Sequence, residues 1–336
     1  LPERLALASL FDAPPAFSRF LVSKFHVVLH VQRAASMADI TAGMVKELRE
    51  RTGSGMMECK KALQQVGGDI EAAVELMRKA GQAKADKKAG RIAAEGLIVI
   101  KQGVGTAALV EINCETDFVT KNEDFRAFVD AVADTVLNGD PADLTALLAL
   151  NMANGQSVEQ NRRECIAKIG ENMNVRRFTR LASDQGVIGC YLHGTRIGVL
   201  VELAGGDADL AKDIAMHIAA SRPLCVSPED VPADLVAKEK DIYAAQAADE
   251  AKDKPANVID KIIGKIVEGK LRKYFEAVTL LGQQFIKDDK QSVDELLKAH
   301  KASAVRFARF ELGEGIEKKS GDFAAEVMAQ VRGDDD

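Results

Sequence analysis

The sequence predicts an α+β protein built from several modules, and three observations carry that expectation. Apolar residues recur at three- and four-residue spacing in one run after another, as amphipathic helices require. Two blocks of the chain repeat the same order of β-hairpin and helix. A strongly charged stretch between the second block and the last strand carries two apolar seams separated at a proline. At 336 residues the chain also exceeds the usual size of one compact core.

Residues 1–36 carry Arg4, Arg19, Lys24 and Arg33 against only Glu3 and Asp12, and end just before Met37. They read as a disordered leader upstream of the true start, with a mitochondrial transit peptide as the alternative, and in both cases they stand outside the fold. From Met37 to about Ala80 the apolar positions fall into three short helices: Met44, Val45 and Leu48; then Met56, Met57, Cys59, Ala62, Leu63 and Val66; then Ile70, Ala73, Val74 and Met77. Thr52 to Gly55 and Gly67 to Asp69 supply the breaks. The pattern resembles the ubiquitin-associated fold, so a polypeptide-binding scaffold is one functional reading. Arg78, Lys79, Lys84, Lys87, Lys88 and Arg91 then form a basic, Ala-rich stretch interrupted by Gly81 and Gly90. It reads as a solvated helical linker, with contact to RNA or to an acidic protein face as the rival.

Gly96-Leu97-Ile98-Val99-Ile100, a turn at 103–105, Leu109-Val110-Glu111-Ile112 and Asp117 are echoed further on. The second copy has Gly186-Val187-Ile188-Gly189-Cys190, a turn around His193-Gly194, Leu200-Val201-Glu202-Leu203 and Asp207. The offset is 91 residues for the Leu-Val-Glu runs and 90 for the aspartates, so one copy is expected to hold a one-residue slip. Each hairpin runs into a helix, through Phe125, Phe128, Val129 and Val132 in the first copy and Leu210, Ile214 and Ile218 in the second. Two similar α+β subdomains packed as a pair follow. Gly103-x-Gly105 sits in a hairpin turn rather than between a strand and a helix, and is no dinucleotide fingerprint.

Between the copies, Asp143 to Ile169 is helical and stops at Gly170, before the strand holding Arg176, Arg177 and Phe178. Ile169 reads either as a core residue or as an exposed contact. From Glu229 to Tyr274, Val231, Leu235, Ile242 and Ala245 form one seam, and Val258, Ile262, Ile266 and Leu271 another, broken at Lys254-Pro255-Ala256. An antiparallel coiled-coil hairpin is expected, as an interaction arm or a plain structural one. The tail is expected to hold a strand through Leu280 to Ile286, a helix opened by the capping box Ser292-x-x-Glu295, a strand through Val305 to Phe310 and a last helix over Phe323 to Val331.

Chemistry-bearing motifs are missing. There is no nucleophile motif, phosphate loop or metal-ligand spacing. Cys59, Cys114, Cys165, Cys190 and Cys225 form an odd, scattered set, which speaks against a disulfide framework and fits a reducing cytosol. His217 falls within a helix, where a satisfied histidine is the ordinary reading, whereas His193 sits at a hairpin tip, where side chains meet partners. No run approaches the roughly 18 apolar residues of a membrane span. A net charge of −6 and a pI near 5.6 argue against a dedicated nucleic-acid binder.

Cys114-Glu115-Thr116-Asp117-Phe118-Val119 is the most informative stretch. It follows the strand-like run Ala107 to Ile112, and at a strand end Asp117 and Phe118 can both point outward as an acidic and apolar probe. The alternative is that Phe118 anchors the next helix in the core and Asp117 caps it.

Seven stretches in order carry a resemblance to one family. They are Val45 to Gly53 (VKELRERTG), Gly55 to Leu63 (GMMECKKAL), Asn113 to Val119 (NCETDFV), Lys168 to Asn172 (KIGEN), His193 to Leu200 (HGTRIGVL), Met216 to Ser221 (MHIAAS) and Phe310 to Lys318 (FELGEGIEK). From Met37 onward the chain resembles the elongation factor Ts family, guanine nucleotide exchange factors of elongation factor Tu. The resemblance implies a cytoplasmic, non-enzymatic translation factor without cofactor or metal, whose partner is elongation factor Tu, GDP-bound and nucleotide-free, with no nucleic acid or membrane partner. Its oligomeric state is left open. The resemblance also implies that Thr116, Asp117, Phe118 and Val119 form the probe that enters the partner beside its magnesium site. Ile169 and His193 match contacts on a second domain of the partner, and Arg49, Met56, Met57 and Lys60 match contacts made by the N-terminal module. On this reading the chain divides into a leader at 1–36, a three-helix module with linker at 37–90, core subdomain N at 91–180, and core subdomain C at 181–228 and 276–312. The coiled-coil hairpin takes 229–275 and a C-terminal module 313–336.

Overall fold

The structure is a computed structural model that describes residues 40–250 and 256–317, the side chains of 256–262 excepted. The leader, the break at Lys254-Pro255, the seam side chains Val258 and Ile262 and the expected helix over Phe323 to Val331 lie outside the described residues. The chain divides into two compact units between Ala83 and Lys84.

The first unit holds α1 (Ala42–Thr52), α2 (Met56–Gln65) and most of α3 (Ile70–Lys88). Thr41 caps α1 by accepting from the Met44 amide. Val45 and Leu48 of α1, Cys59, Ala62 and Leu63 of α2 and Ala73 of α3 form the core. Met56 and Met57, placed by periodicity on the same face, are instead 58% and 66% exposed. They start α2, a turn ahead of its buried residues. The expected interruption at Gly81 is absent, and α3 runs through it to Lys88. Gly81 is buried there, and one glycine costs a helix interior only about 1 kcal/mol, which the alanines around it offset.

The second unit is a duplicated pair of antiparallel sheets. β1 (Glu95–Gly103), β2 (Thr106–Cys114) and β3 (Met173–Ala182) form one, in the order β1-β2-β3. Between β2 and β3 run α4 (Glu123–Gly139), α5 (Leu144–Ala149) and α6 (Val158–Ile169). The other sheet joins β4 (Val187–His193), β5 (Ile197–Ala204) and β8 (Ser303–Glu311), in the order β4-β5-β8, with α7 (Ala208–Ser221) following the hairpin. The duplication extends to an ion pair and a bulge. Glu111 on β2 faces Arg177 on β3, Glu202 on β5 faces Arg306 on β8, and the ladder shifts register immediately after each glutamate. Arginine Nε donates to the carboxylate at 2.6 Å in the first copy and 2.7 Å in the second.

Each sheet packs its helix on one face, and the other faces meet through Ile98, Leu109, Leu181, Leu200 and Phe310. Gly198 permits that approach, since a Cβ there would lie 2.5 Å from Leu109 Cδ1 and 2.6 Å from Ile98 Cγ2.

The charged stretch forms α8 (Ala233–Glu250) and α9 (Ala256–Val278), packed against each other. Lys270 of α9 donates to Gln246 and Glu250, while Lys240 and Ala244 share a cleft with Leu271 and Phe275, so the helices run antiparallel. The inner face of α8 differs from the expected seam. Ala247 is buried and Tyr243 and Ala244 are half-buried, whereas Ile242 and Ala245 are exposed. The strand expected over Leu280 to Ile286 is also corrected. Only β6 (Gln284–Phe285) is extended, pairing with β7 (Asp288–Ser292) ahead of α10 (Val293–Ala299). Leu280 and Leu281 lie in a turn, their amides donating to the Cys225 and Val226 carbonyls. Leu280 is buried there without alternation. No helix among the described residues is long and apolar enough to cross a membrane.

Candidate functional site

The two copies differ most where β2 and β5 hand over to their helices. In the second copy two residues, Gly205 and Gly206, separate β5 from Asp207, which caps α7 by accepting from the Leu210 amide at 2.8 Å. In the first copy residues 115–121 separate β2 from Asn122, which caps α4 by accepting from the Asp124 and Phe125 amides. The structural counterpart of Asp207 is therefore Asn122 and not Asp117, which corrects the alignment of the aspartates. The candidate probe is an insertion of the first copy.

Within it Phe118 is 77% exposed and Asp117 is exposed beside it. Neither takes the alternative role, since the core position belongs to Val119 and the cap to Asn122. Val119 is buried among the α4 side chains, so it anchors the loop and offers no surface. A 3-10 turn over Val119–Lys121 follows, with the Asp117 and Phe118 carbonyls accepting from the Thr120 and Lys121 amides at 3.1 Å each. The aromatic ring is thus carried outward on a short, hydrogen-bonded turn.

The base of the loop is gripped by the end of α6. Gly170 stops that helix in the left-handed region at φ 93°, its amide donating to the Ile166 carbonyl. Glu171 then accepts from Thr116 twice, from the amide at 2.9 Å and the hydroxyl at 2.7 Å. In the reverse direction Glu115 accepts from the Asn172 amide at 2.6 Å. Asn172 is buried and donates its side-chain amide to the Arg91 carbonyl at 2.7 Å, while Lys88 donates to the Gly170 carbonyl. One cation of the basic linker is thus turned inward. Ile169 packs partly buried against the core, two residues from Glu171.

The thiol nearest the probe is inert. Burial pushes Cys114 up to about 12, and its Sγ contacts the Thr116 carbonyl at 3.1 Å. Burial also pushes Cys165 to about 12 and Cys190 to about 11. No cluster of metal-ligating side chains occurs among the described residues.

His193 is exposed at the β4–β5 tip, its Nδ1 3.2 Å from the Tyr191 hydroxyl. That tip is tied to both sheets: the Thr195 carbonyl accepts from the Ile98 amide at 3.0 Å, and the Arg196 carbonyl from the Leu312 amide at 2.8 Å. In the first unit Arg49, Met56, Met57 and Lys60 are all exposed. The structure therefore joins the probe to the Ile169 segment directly, carries His193 on the other sheet, and places the remaining four on a separate unit. Glu115, Glu171 and Asn172 stand in the sequence motifs, where nothing in the sequence alone marks their role. Their signal, two carboxylates in short polar segments far apart in sequence, acquires meaning only when those segments meet.

Comparison with known proteins points the same way. The Elongation factor TS family pattern matches residues 115–314. Elongation factor Ts of Methylococcus capsulatus is 62% identical over 295 residues, covering 87% of this chain and 99% of the relative. The same-named protein of Thioalkalivibrio sulfidiphilus is 59% identical over 297 residues, at 88% and 99% coverage. That of Xanthomonas campestris pv. campestris is 54% identical over 293 residues, at 87% and 99%. With a family match over more than half of its length and relatives this similar from end to end, the chain belongs to the elongation factor Ts family.

Proposed function

We propose that the chain is the guanine nucleotide exchange factor of elongation factor Tu. It binds the GDP complex, perturbs the partner's magnesium and phosphate site, and promotes GDP release so that GTP rebinds during translation elongation. The observation that carries this reading is the exposed Phe118 ring beside Asp117 on an inserted loop gripped at its base. A large apolar side chain held in water gains free energy only when a partner covers it. A ring wedged between partner elements displaces the groups that hold the magnesium ion, and losing a divalent cation removes much of the neutralisation of the GDP phosphates. No covalent step is required, so the chain acts without being an enzyme in the covalent sense.

His193 on the second sheet and Ile169 beside the probe supply further contacts in this reading. The exposed Met56 and Met57 pair, with Arg49 and Lys60, gives the first unit an adaptable surface of its own. The subdomain boundaries expected from the sequence belong to the same proposal. Because exchange is coupling between two ligands of one partner, the factor and GDP weaken each other by the same ratio. Calorimetric titration of the chain into elongation factor Tu, nucleotide-free and GDP-loaded, tests this directly. The reading expects markedly tighter binding to the nucleotide-free form, and equal affinities contradict it.

A further inference from the structure

We propose that Glu171 is a positioning residue for nucleotide exchange, a carboxylate latch that holds the inserted loop by both donors of Thr116 and ties the probe to the Ile169 segment. The inference rests on the exchange reading above.

The need for a latch comes from the insertion. Two glycines complete the strand-to-helix connection in the second copy, whereas seven residues do so in the first. A loop of that length, left free, must be ordered when a partner binds, and that ordering subtracts from affinity. Both Thr116 donors converge on one carboxylate, at 2.9 and 2.7 Å, which makes the contact charge-assisted and directional. Its origin is equally constrained. Glu171 follows the left-handed Gly170 that ends α6, and the Gly170 carbonyl is engaged by Lys88. A second carboxylate crosses the other way, Glu115 accepting from the Asn172 amide while Arg91 stands 3.6 Å from its other oxygen. The two segments therefore grip each other reciprocally. Thr116 is occupied in this grip, its carbonyl also meeting the Cys114 thiol, so its side chain serves the loop rather than the partner. Glu171 itself acts only through Thr116, and the exposed Asp117 and Phe118 begin at the next residue.

The test uses the full chain in three forms: Glu171→Ala, Glu171→Gln and Thr116→Val. Glutamine is the informative rescue. Its carbonyl oxygen accepts from the Thr116 amide and its NH2 donates to the Thr116 hydroxyl, which turns its own proton away, so the latch survives without the charge. Two readouts are taken: hydrogen exchange of the Thr116 amide in the free chain, and acceleration of GDP release from elongation factor Tu. Glu171→Ala is expected to lower Thr116 protection about tenfold or more and the acceleration by at least about tenfold. Thr116→Val, which loses one of the two bonds, is expected to fall between Ala and the unaltered chain in both readouts. Glu171→Gln, which keeps both bonds without the charge, is expected to stay within about fivefold of the unaltered chain and clearly above Glu171→Ala in both. Unaltered Thr116 protection in Glu171→Ala, or a glutamine variant as impaired as the alanine one, overturns the latch. Failure of the unaltered chain to accelerate GDP release overturns the exchange role instead, and the protection measurement, made on the free chain, keeps the two failures apart.

Discussion

Replacing Glu111 by glutamine preserves side-chain shape while removing the charge of a fully buried carboxylate at the centre of a polar cluster. Oε1 accepts from Arg176 Nη1 at 2.9 Å, the Gly313 amide at 2.9 Å and Asn113 Nδ2 at 3.1 Å, and Oε2 accepts from Arg177 Nε at 2.6 Å. A glutamine offers one oxygen and one NH2, so in either orientation a donor faces a donor. Hydrogen bonds to charged groups contribute ~1.5–3 kcal/mol each, and stripping one partner from a buried pair costs ~3–5 kcal/mol. The arginines keep 25% and 30% of their side-chain exposure and recover some water, which lowers the expected cost to about 2–4 kcal/mol. For a unit of this size that is a fall in melting midpoint of about 5–15 °C. Glu202 is the internal control: it stands at the same place in the second copy with the same Nε contact, but Arg306 is 53% exposed. A pair of that kind contributes about 0–1 kcal/mol, so Glu202→Gln should melt within about 4 °C of the unaltered chain. Calorimetric melts of both variants and the double variant check the comparison. Equal falls in the two single variants, or a Glu111→Gln chain that melts with the unaltered protein, refute the reasoning.

Glu111 also sets a pH dependence: burial pushes its carboxyl up, but the Gly313 amide and the Arg176 and Arg177 guanidiniums outweigh that and hold it below the usual carboxylate range. A depressed folded value means its stabilisation is complete above the unfolded value of about 4.3 and is lost as pH falls through the lower folded one, so melting midpoints should drop more steeply below about pH 4.5 in the unaltered chain than in Glu111→Gln. Buried His217 accepts from the Ile286 amide at Nδ1, and Nε2 lies 3.0 Å from the Gln283 side-chain oxygen. Burial pushes its value below the ordinary one, so nuclear magnetic resonance should show the neutral form predominating at pH 6.5, with its stabilisation lost as the pH falls through the lower folded value. Phe118→Ala should leave stability within about 0.5 kcal/mol, whereas Val119→Ala, one residue on and buried, should cost about 1–3 kcal/mol in denaturant titration. Gly198→Ala should cost about 1–3 kcal/mol by forcing Leu109 and Ile98 aside between the two sheets, and a neutral result contradicts that packing.

The duplicated architecture was legible because the Leu-Val-Glu runs repeat both an apolar strand and a charge that needs a cross-strand partner. The partners themselves, Arg177 and Arg306, lie 66 and 104 residues away along the chain, beyond the reach of periodicity. The probe was legible as a strand end carrying an aromatic ring next to a carboxylate. Pairing Asp117 with Asp207 failed because an exposed loop aspartate and a helix-capping one look alike in a sequence. Only the amide donors at Asn122 and Asp207 separate them. Periodicity also misread segments buried by tertiary contacts. Leu280 is buried in a turn held by the Cys225 and Val226 carbonyls, and α8 rotates Tyr243 and Ala247 toward α9 in place of the more apolar Ile242. The grip on Thr116 could not be read at all, because Glu171 and Thr116 meet only after both subdomain segments have folded.

Expulsion of GDP from elongation factor Tu by the Phe118 probe is the step on which the proposed function rests. Stopped-flow release of a fluorescent GDP analogue from elongation factor Tu, with the unaltered chain and with Phe118→Ala at matched concentrations, tests it most directly. Strong acceleration is expected from the unaltered chain, with loss of most of it, about tenfold or more, in the variant. Full acceleration by the variant, or none by the unaltered chain, would contradict it.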